Sequence, residues 1–380
     1  MRRVGLNALF LLPGRVGGSE VYARELTRSL AARRPDVEFV VFCGREASGS
    51  LRAAPWPDNV RIWRLPVAVA NKPLRIAAEL SILPLAARRA RIDLLHSLGT
   101  TSPLVTGLPG VVSILDLIYE DFPDTFPAPA LLGLKALVGP GARRADRVIA
   151  ISHAVKADVV QRLRVPAQQV DVVHLGFGRR STAAPTPEAE LRGRLGLGGS
   201  RVVLCVSAAL AHKNLGRLIE AFASLRPASA DLRLVLAGHA GRETDRLRAQ
   251  ATHAGIADRV AFTGWASDED LEGLYALAAC CVYPSLHEGF GLPLLEAMVR
   301  GVPLASSDAT SLPEVADDAA ELFDPRDVAA MARAVARLLE DREHASELVE
   351  RGRARAQTFT WERCADGVLA SYERALAMTL

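Results

Sequence analysis

The chain has 380 residues, of which 49% are hydrophobic, 23% charged and 5% aromatic. One hydrophobic core seldom spans this length, so two domains are expected, and the composition excludes a disordered polyelectrolyte or a collagen-like repeat. The net charge is +3 with acidic and basic residues interleaved, which argues against nucleic acid as a partner. Lysines are scarce among the 46 basic residues, so each is of functional interest: Lys72, Lys135, Lys156 and Lys213.

The cysteines and apolar segments indicate a reducing compartment and no membrane span. Five cysteines is an odd number, and the first four lie in apolar runs, as buried thiols do. The apolar start is short and contains Asn7, so we interpret it as a first β-strand and not as a signal peptide. The apolar stretch 65–87 is interrupted by Lys72, Arg75 and Glu79, which argues against a transmembrane helix. A cytoplasmic location is therefore expected.

Short apolar runs alternate with longer helical periods along the chain. The predicted strands are, in order, VGLNALFLL, VEFVVFC, RIDLLH, VVSILD, RVIAIS, RVVLCVS, LRLVLAG, RVAFTG, CCVYPS and VPLASS. The predicted helices between them include SEVYARELTRSLAARR, HAVKADVVQRL, NLGRLIEAFASL, RETDRLRAQATHAG, SDEDLEGLYALAA and LPLLEAMVRG, before a helix-rich region 327–380. This alternation is typical of parallel sheets with helices on both faces. The polar segment 176–187 interrupts it, so we predict an α/β protein of two doubly wound halves joined there.

Ligands of such sheets bind beyond the carboxyl ends of the strands, so the loops at that edge are the candidate sites. The first is the loop 13–20, where Gly17 and Gly18 allow backbone amides to approach an anion and Ser19 is placed to cap the next helix. The loop is not GxGxxG, which argues against a dinucleotide site. An ordinary tight turn remains the alternative.

Two further loops combine charge with helix starts. His212 and Lys213 follow a predicted strand and precede a helix, where a lysine can bind a phosphate. In the segment 286–296, Glu288 precedes the helix that Pro293 is expected to begin, and Glu296 falls inside that helix. Glycine amides at a positive helix end, beside two carboxylates, suit an anionic ligand with many hydroxyl groups.

Glu288 and Glu296 flank the sequence GFGLPLL, and this arrangement resembles the two-glutamate motif of the retaining family 4 glycosyltransferases. The resemblance extends over nearly the full length through the segments HSLGTTSP, SILDL, ADRVIAISHAVKADV, AHKN, RVAFTGWASDEDLEGLYALA and SLPEVADDAAELFDP. It implies the GT-B fold, with two Rossmann-like doubly wound domains facing across a cleft. Residues 1–177 would bind the acceptor, residues 178–359 the nucleotide-sugar donor, and residues 360–380 would form a helix returning to the first domain.

The resemblance also implies roles for individual residues. Lys213 would contact the diphosphate, Glu296 the ribose and Glu288 the donor sugar. The implied donor-binding residues are Gly17, Gly18, His212, Lys213, Gly289, Phe290, Gly291, Leu292 and Glu296, and the implied catalytic residues are Glu288, Lys213 and Asp116.

The sequence departs from the family at two places in this site. The arginine that often precedes the lysine is absent from the segment 207–212, so Lys213 would contact the diphosphate either alone or together with His212. Leu115 stands where many members have a histidine that contacts the donor sugar. Three alternatives remain open. Another side chain, Asp116 or His153, contacts the donor sugar in place of the histidine; the donor sugar lacks the hydroxyl that the histidine would contact; or the enzyme has reduced activity.

The resulting hypothesis is an enzyme that transfers a hexosyl group, with retention, from a nucleoside diphosphate sugar to a hydroxyl acceptor such as a glycan, a lipid carrier or a small aglycone. No cofactor beyond this co-substrate is expected. The alternatives are a nucleotide-sugar epimerase and a donor-binding homologue with reduced activity.

Two acidic motifs are interpreted as structural, and no metal site is expected. The run Asp268-Glu269-Asp270 follows Ser267 at a predicted helix start, where acidic residues favour the helix dipole. The segment 311–314 matches a capping box from Ser311 to Glu314.

The stretch 74–92 raises the hypothesis of peripheral contact with the inner face of a membrane. It mixes apolar positions with Arg88, Arg89 and Arg91. An ordinary surface helix is the alternative.

Overall fold

The structure is a computed structural model that describes residues 1–14, 17–177, 183–225, 231–241 and 243–378. Its described residues form two compact units. The first unit comprises Met1–Gly176 and Phe359–Leu380, and the second comprises Phe177–Thr358. Positions 178–182 of the predicted linker lie outside the described residues.

The strands alternate with helices as the sequence predicts. The strands are β1 (Arg3–Asn7), β2 (Glu38–Cys43), β3 (Val60–Arg64), β4 (Leu94–Ser97), β5 (Gly110–Ile114), β6 (Arg147–Ala150), β7 (Val170–Val172), β8 (Arg201–Val206), β9 (Leu232–Ala237), β10 (Val260–Gly264), β11 (Ala278–Tyr283), β12 (Leu304–Ser307) and β13 (Glu321–Phe323). The helices are α1 (Gly18–Arg33), α2 (Arg45–Ala53), α3 (Lys72–Arg89), α4 (Ile118–Asp121), α5 (Ala128–Arg144), α6 (His153–Leu163), α7 (Glu188–Leu195), α8 (Leu215–Ser224), α9 (Thr244–His253), α10 (Asp268–Leu277), α11 (Leu292–Val299), α12 (Leu312–Ala316), α13 (Val328–Glu340), α14 (Arg342–Ala356) and α15 (Trp361–Ala377).

Each unit contains one parallel sheet with doubly wound strand order. Within the described residues, the first sheet runs β3-β2-β1-β4-β5-β6-β7 and the second runs β10-β9-β8-β11-β12-β13. In each sheet the strand order reverses direction at one point, between β1 and β4 in the first and between β8 and β11 in the second. Sheets of this kind bind ligands beyond the carboxyl ends of the two strands at the reversal. The α/β class with two Rossmann-like units is therefore confirmed.

The second unit is held by an apolar core between its sheet and the helices that cover it. Phe222 and Ile219 of α8 pack with Leu234 of β9 and Val203 of β8, and each is at most 1% exposed. Full burial of one such side chain contributes about 1.5–3 kcal/mol. This packing holds α8 against β8 and β9, and so positions the turn that joins β8 to α8.

The C-terminal helix α15 packs on α1 within the first unit. Arg33 of α1 donates two hydrogen bonds to Asp366 of α15, at 2.8 and 2.7 Å. Deeper, the Tyr372 hydroxyl lies 2.8 Å from Nδ1 of His96, whose Nε2 lies 2.8 Å from Oγ of Ser113. His96 is fully buried and therefore links α15 to the strands β4 and β5.

One helix start differs from its prediction. Ser19 does not cap α1, because the helix begins one residue earlier, at Gly18, and Gly17 occupies the N-cap without a side-chain hydrogen bond. Gly17 has φ +54°, a conformation that favours glycine over other residues. The β1–α1 turn therefore depends on backbone conformation and not on a serine cap.

Candidate active site

Lys213 and Glu288 meet at the reversal point of the second sheet. Lys213 ends a short 3₁₀ turn that follows β8, and Glu288 lies in the loop that follows β11. Nζ of Lys213 lies 2.6 Å from Oε1 of Glu288, and the two side chains are 19% and 15% exposed. The sequence predicted separate contacts for the two residues, with the diphosphate and with the sugar, and the structure brings their side chains together.

The electrostatics of this pair follow from its partial burial. Burial favours the neutral form of Glu288, but the adjacent Lys213 ammonium outweighs that effect and holds the pKa of the carboxyl below its usual value. His212, 6% exposed, has its pKa lowered to about 4 by burial and by the Lys213 charge. At neutral pH, therefore, Lys213 carries the positive charge of this turn and His212 is uncharged.

Asn214 joins the two loops that carry the pair. Its backbone is left-handed, with φ +58°, which asparagine tolerates better than most residues. Its side-chain Nδ2 donates to the carbonyl oxygens of Pro284, at 2.9 Å, and Pro325, at 2.8 Å. Asn214 was not among the predicted site residues, although asparagine before a helix is a signal for such a conformation.

Thr310 and Ser311 hold the loop of Glu288 from the opposite side. The Glu288 amide donates to Oγ1 of Thr310 at 3.0 Å, and Oγ of Ser311 lies 2.9 Å from the Glu288 carbonyl and 2.8 Å from that of Phe290. The predicted capping box is wrong, because Ser311 makes no side-chain cap of α12 and its hydroxyl binds this loop instead. Both residues were missed as part of the site.

The glycine loop ends at the start of α11 as predicted. Gly291 occupies the N-cap with φ +114°, and a Cβ there would approach Leu312 Cδ2 to 2.8 Å, so both conformation and space require glycine. Leu292 and Pro293 form the first turn, and Glu296 lies inside the helix. The dipole of this helix start favours an anion.

Glu296 belongs to a hydrogen-bonded group with two tyrosines. Its Oε2 accepts a hydrogen bond of 2.9 Å from the Tyr275 hydroxyl, which lies 3.1 Å from the Tyr283 hydroxyl. Burial raises the pKa of Glu296, and the Tyr275 hydrogen bond and the nearby Arg300 offset this only in part. The carboxyl is thus held in one orientation by its own unit.

The remaining candidates belong to the first unit. Gly17 and Gly18 follow β1, while Leu115 and Asp116 follow β5, so each pair lies beyond the carboxyl end of a strand. Leu115 is partly exposed, and Oδ1 of Asp116 accepts a hydrogen bond of 3.1 Å from the amide of Ile118. In this position Asp116 orders the turn that leads into α4.

The acidic run of α10 occupies the helix start predicted for it. Oγ of Ser267 accepts a hydrogen bond from the Asp270 amide at 3.1 Å and so caps the helix. Asp270 also forms an ion pair with Arg194 at 2.6 Å. The carboxylate of Asp270 therefore has a structural partner, and the run lies at a helix start that favours acidic residues.

Comparisons with known proteins identify the family. The model of Glycosyltransferase Family 4 matches residues 16–177, and that of Glycosyl transferases group 1 matches residues 188–355. The chain is 30% identical to O-antigen chain mannosyltransferase B of Escherichia coli, over 69% of this chain and 70% of that protein. The chain belongs to glycosyltransferase family 4.

Further relatives extend the match to the full length. The enzyme is 29% identical to the MMP alpha-(1->4)-mannosyltransferase of Mycolicibacterium hassiacum, over 95% of both chains. Sucrose-phosphate synthase of Thermosynechococcus elongatus superposes with a TM-score of 0.79 at 22% identity, covering 100% of both chains. HepE of Anabaena, solved with UDP and glucose, superposes with a TM-score of 0.75 at 22% identity, over 98% of this chain and 100% of that one. These structures have the GT-B fold.

The predicted activity class is confirmed. The enzyme is a glycosyltransferase that moves a sugar from a nucleoside diphosphate sugar to a hydroxyl acceptor, and retention of anomeric configuration agrees with its family. None of the described helices combines the length and the apolar composition needed to cross a bilayer.

Proposed function

We propose that the nucleotide-sugar donor binds at the reversal point of the second sheet, with its diphosphate on Lys213. The observation that carries this proposal is the contact between Lys213 and Glu288 at the ends of the adjacent strands β8 and β11. That point is where doubly wound sheets bind their ligands, and Lys213 supplies the positive charge that a diphosphate requires.

In the free enzyme, Glu288 holds the Lys213 ammonium near the position of the diphosphate. A bound diphosphate competes for that ammonium, so the lysine divides its hydrogen bonds between the carboxylate and the phosphate oxygens. As the sugar leaves the diphosphate, negative charge grows on the leaving oxygen, and a fixed ammonium in a partly buried site stabilises it. Lys213 therefore acts on the leaving group.

The other residues of the second unit orient the rest of the donor. The carboxylate of Glu288 accepts hydrogen bonds from hydroxyls of the transferred sugar, and the amides of Gly289, Phe290 and Gly291 lie close to the same part of the donor. Glu296, held by Tyr275, accepts from the ribose hydroxyls.

The acceptor binds to the first unit, near the ends of β1 and β5. The bond between the anomeric carbon and the diphosphate oxygen breaks while the acceptor oxygen bonds to the same face of the sugar. The acceptor hydroxyl proton passes to the departing phosphate oxygen, so the step needs no additional base and no metal ion.

The experiment is a donor panel with the purified chain. GDP-mannose is tested first because two matched relatives are named mannosyltransferases, and UDP-glucose second because Anabaena HepE has been solved with it. Proton NMR follows the anomeric configuration of the glycoside, with and without EDTA. We expect an α-linked product from an α-linked donor in both conditions. An inverted product, an isomerised donor without transfer, or loss of activity in EDTA would each contradict part of the proposal.

A further inference from the structure

The solvent-exposed face of helix α3, in the first unit, is apolar. Its opposite face packs into the unit through Ala78, Leu83, Ala86 and Ala87. Its exposed side chains include Leu74 (53% exposed), Leu80 (36%), Ile82 (36%) and Leu85 (60%). A surface helix of a globular protein normally presents polar residues to water, so these exposed apolar side chains indicate an interaction surface.

Neighbouring segments extend this apolar surface. Helix α5 packs beside α3 where a Cβ on Gly133 would lie 3.0 Å from Ile76, and the adjacent Leu132 is 72% exposed. At the other end of α3, Arg88 donates to the carbonyl of Thr106 at 3.3 Å, and the neighbouring Val105 is 74% exposed. We call this surface the α3–α5 face; its apolar members are Leu74, Leu80, Ile82, Leu85, Val105 and Leu132.

The charge of the α3–α5 face has one sign. The single acidic residue of α3 is Glu79, which is 4% exposed and accepts hydrogen bonds from Asn7 and Thr101, and α5 contains no acidic residue. The exposed basic side chains are Lys72, Arg88, Arg89, Lys135, Arg143 and Arg144. Among the described residues, no carboxylate forms an ion pair with any of these cations. The face therefore presents apolar side chains surrounded by uncompensated positive charge.

We propose that the α3–α5 face docks on the surface of an anionic lipid bilayer. Leucine, isoleucine and valine side chains of this kind enter the boundary between headgroups and acyl chains, while arginine and lysine bind the negative headgroups. A second copy of the chain fits less well. A symmetric dimer would place this face against itself and bring the unpaired cations together.

The docking is independent of the roles proposed for the donor site. It involves none of the residues at the ends of β8 and β11, and it adds an interaction surface to an enzyme without a described membrane-spanning helix. An acceptor embedded in a bilayer would then be within the reach of the first unit.

The test is co-sedimentation of the full chain with phosphatidylcholine vesicles, with or without phosphatidylglycerol. We expect binding to the anionic vesicles alone, and weaker binding at higher salt. One basic side chain near an anionic surface strengthens binding about fivefold, so R89Q/K135Q/R144Q is expected to weaken it about a hundredfold. L74S/L85S keeps every basic side chain and is expected to weaken binding to the anionic vesicles, because the apolar contacts are lost.

A matched control separates this face from net charge. R333Q/R351Q/R353Q removes the same charge from exposed helices of the second unit and is expected to bind vesicles like the wild type. Equal binding to neutral vesicles, no binding to either, or equal loss in both triple variants would overturn the proposal. A dimer that L74S/L85S dissociates, seen by light scattering without vesicles, would instead assign the face to a second copy.

Discussion

Among the individual residues of the site, Lys213 is expected to have the largest effect on turnover, because of its positive charge. Lys213→Ala removes the ammonium that stabilises the departing diphosphate, and we expect turnover to fall by about a hundredfold. Steady-state kinetics with the best donor of the panel measures this effect.

Lys213→Ala also leaves Glu288 without its partner, so the fold must be checked by thermal unfolding. The double variant K213M/E288Q removes both charges and serves as the isosteric comparison, while Lys135→Ala removes an exposed lysine elsewhere. A folded Lys213→Ala protein with wild-type turnover would exclude the lysine from the mechanism.

Leu115, which follows β5 of the first unit, tests the contact with the donor sugar that the family resemblance implies at this position. Leu115→His introduces the histidine that the family resemblance implies at this position. If the natural pocket makes an apolar contact with a deoxy sugar, turnover of the preferred donor is expected to fall. The reason is that the histidine ring would be removed from water without gaining a hydrogen-bond partner in the pocket. A gain with common hexose donors indicates that leucine lowers the activity of the natural enzyme. An unchanged rate and donor preference would exclude position 115 from the site.

The charged residues of the site were easier to predict from the sequence than the residues that hold their loops in place. Lys213 and Glu288 are predictable because their side chains carry chemistry at loop positions that the strand pattern reveals. Asn214 and Ser311 act through backbone carbonyls that are distant in sequence, such as Pro325 for Asn214 and Glu288 for Ser311. No local pattern records such a pairing, and Ser311 is followed by a sequence that matches a helix cap.

At the element scale, the loop between β11 and α11 depends on Ser311. Ser311→Ala leaves the Glu288 and Phe290 carbonyls without this hydroxyl in a buried setting, which costs about 1–3 kcal/mol of folding stability. We expect turnover to fall about tenfold because Glu288 is no longer held in place. Ser224→Ala, which removes an exposed hydroxyl of α8 bonded to its own helix, is the control. Equal kinetics in the two variants would show that Ser311 has no positioning role.

The packing of α15 on the first sheet predicts a pH dependence of stability. Burial lowers the pKa of His96 to about 3, below the roughly 6.5 of an unfolded chain. Below pH 6.5 the unfolded state therefore binds a proton that the folded state does not. The contribution of neutral His96 to the free energy of unfolding is fully present above pH 6.5. As the pH falls from 6.5 towards 3, that free energy decreases by up to about 1.4 kcal/mol per pH unit.

Urea unfolding between pH 7.5 and about 4.5 measures this dependence. His96→Gln is expected to be less stable at neutral pH and to show a shallower decrease, while His253→Gln, at an exposed position, is expected to keep the wild-type slope. Identical slopes for His96→Gln and the wild type would show that His96 does not titrate as its burial predicts.

The strands at the sheet edges were hardest to predict. β3, β7 and β13 were not among the predicted strands, and each lies at an edge of its sheet. Three of the five residues of β3, Arg61, Trp63 and Arg64, are exposed to solvent, so β3 lacks a continuous apolar run, and β7 and β13 have only three residues each. The central strands have continuous apolar runs because helices cover both of their faces. The hydrophobic pattern of a sequence therefore predicts the central strands of a sheet more readily than its edge strands.

At the scale of the whole molecule, alternation of strands and helices predicts two doubly wound units, and the strand orders of both sheets agree. The placement of α15 in the first unit could not follow from periodicity. Its partners, Arg33 and His96, are more than 250 positions away in the sequence, and the resemblance to the family supplied that expectation. The same holds for Lys213 and Glu288, whose contact depends on β8 and β11 becoming neighbours.

The central claim is that the donor diphosphate binds at the ends of β8 and β11, and amide hydrogen exchange tests it most directly. The full chain is compared with and without saturating GDP and, separately, UDP. We predict that at least one nucleotide slows exchange in residues 207–216 and 285–297, and that Lys213→Ala weakens this protection. Protection confined to loops of the first unit, with these two segments unchanged under a nucleotide that binds, would contradict the account.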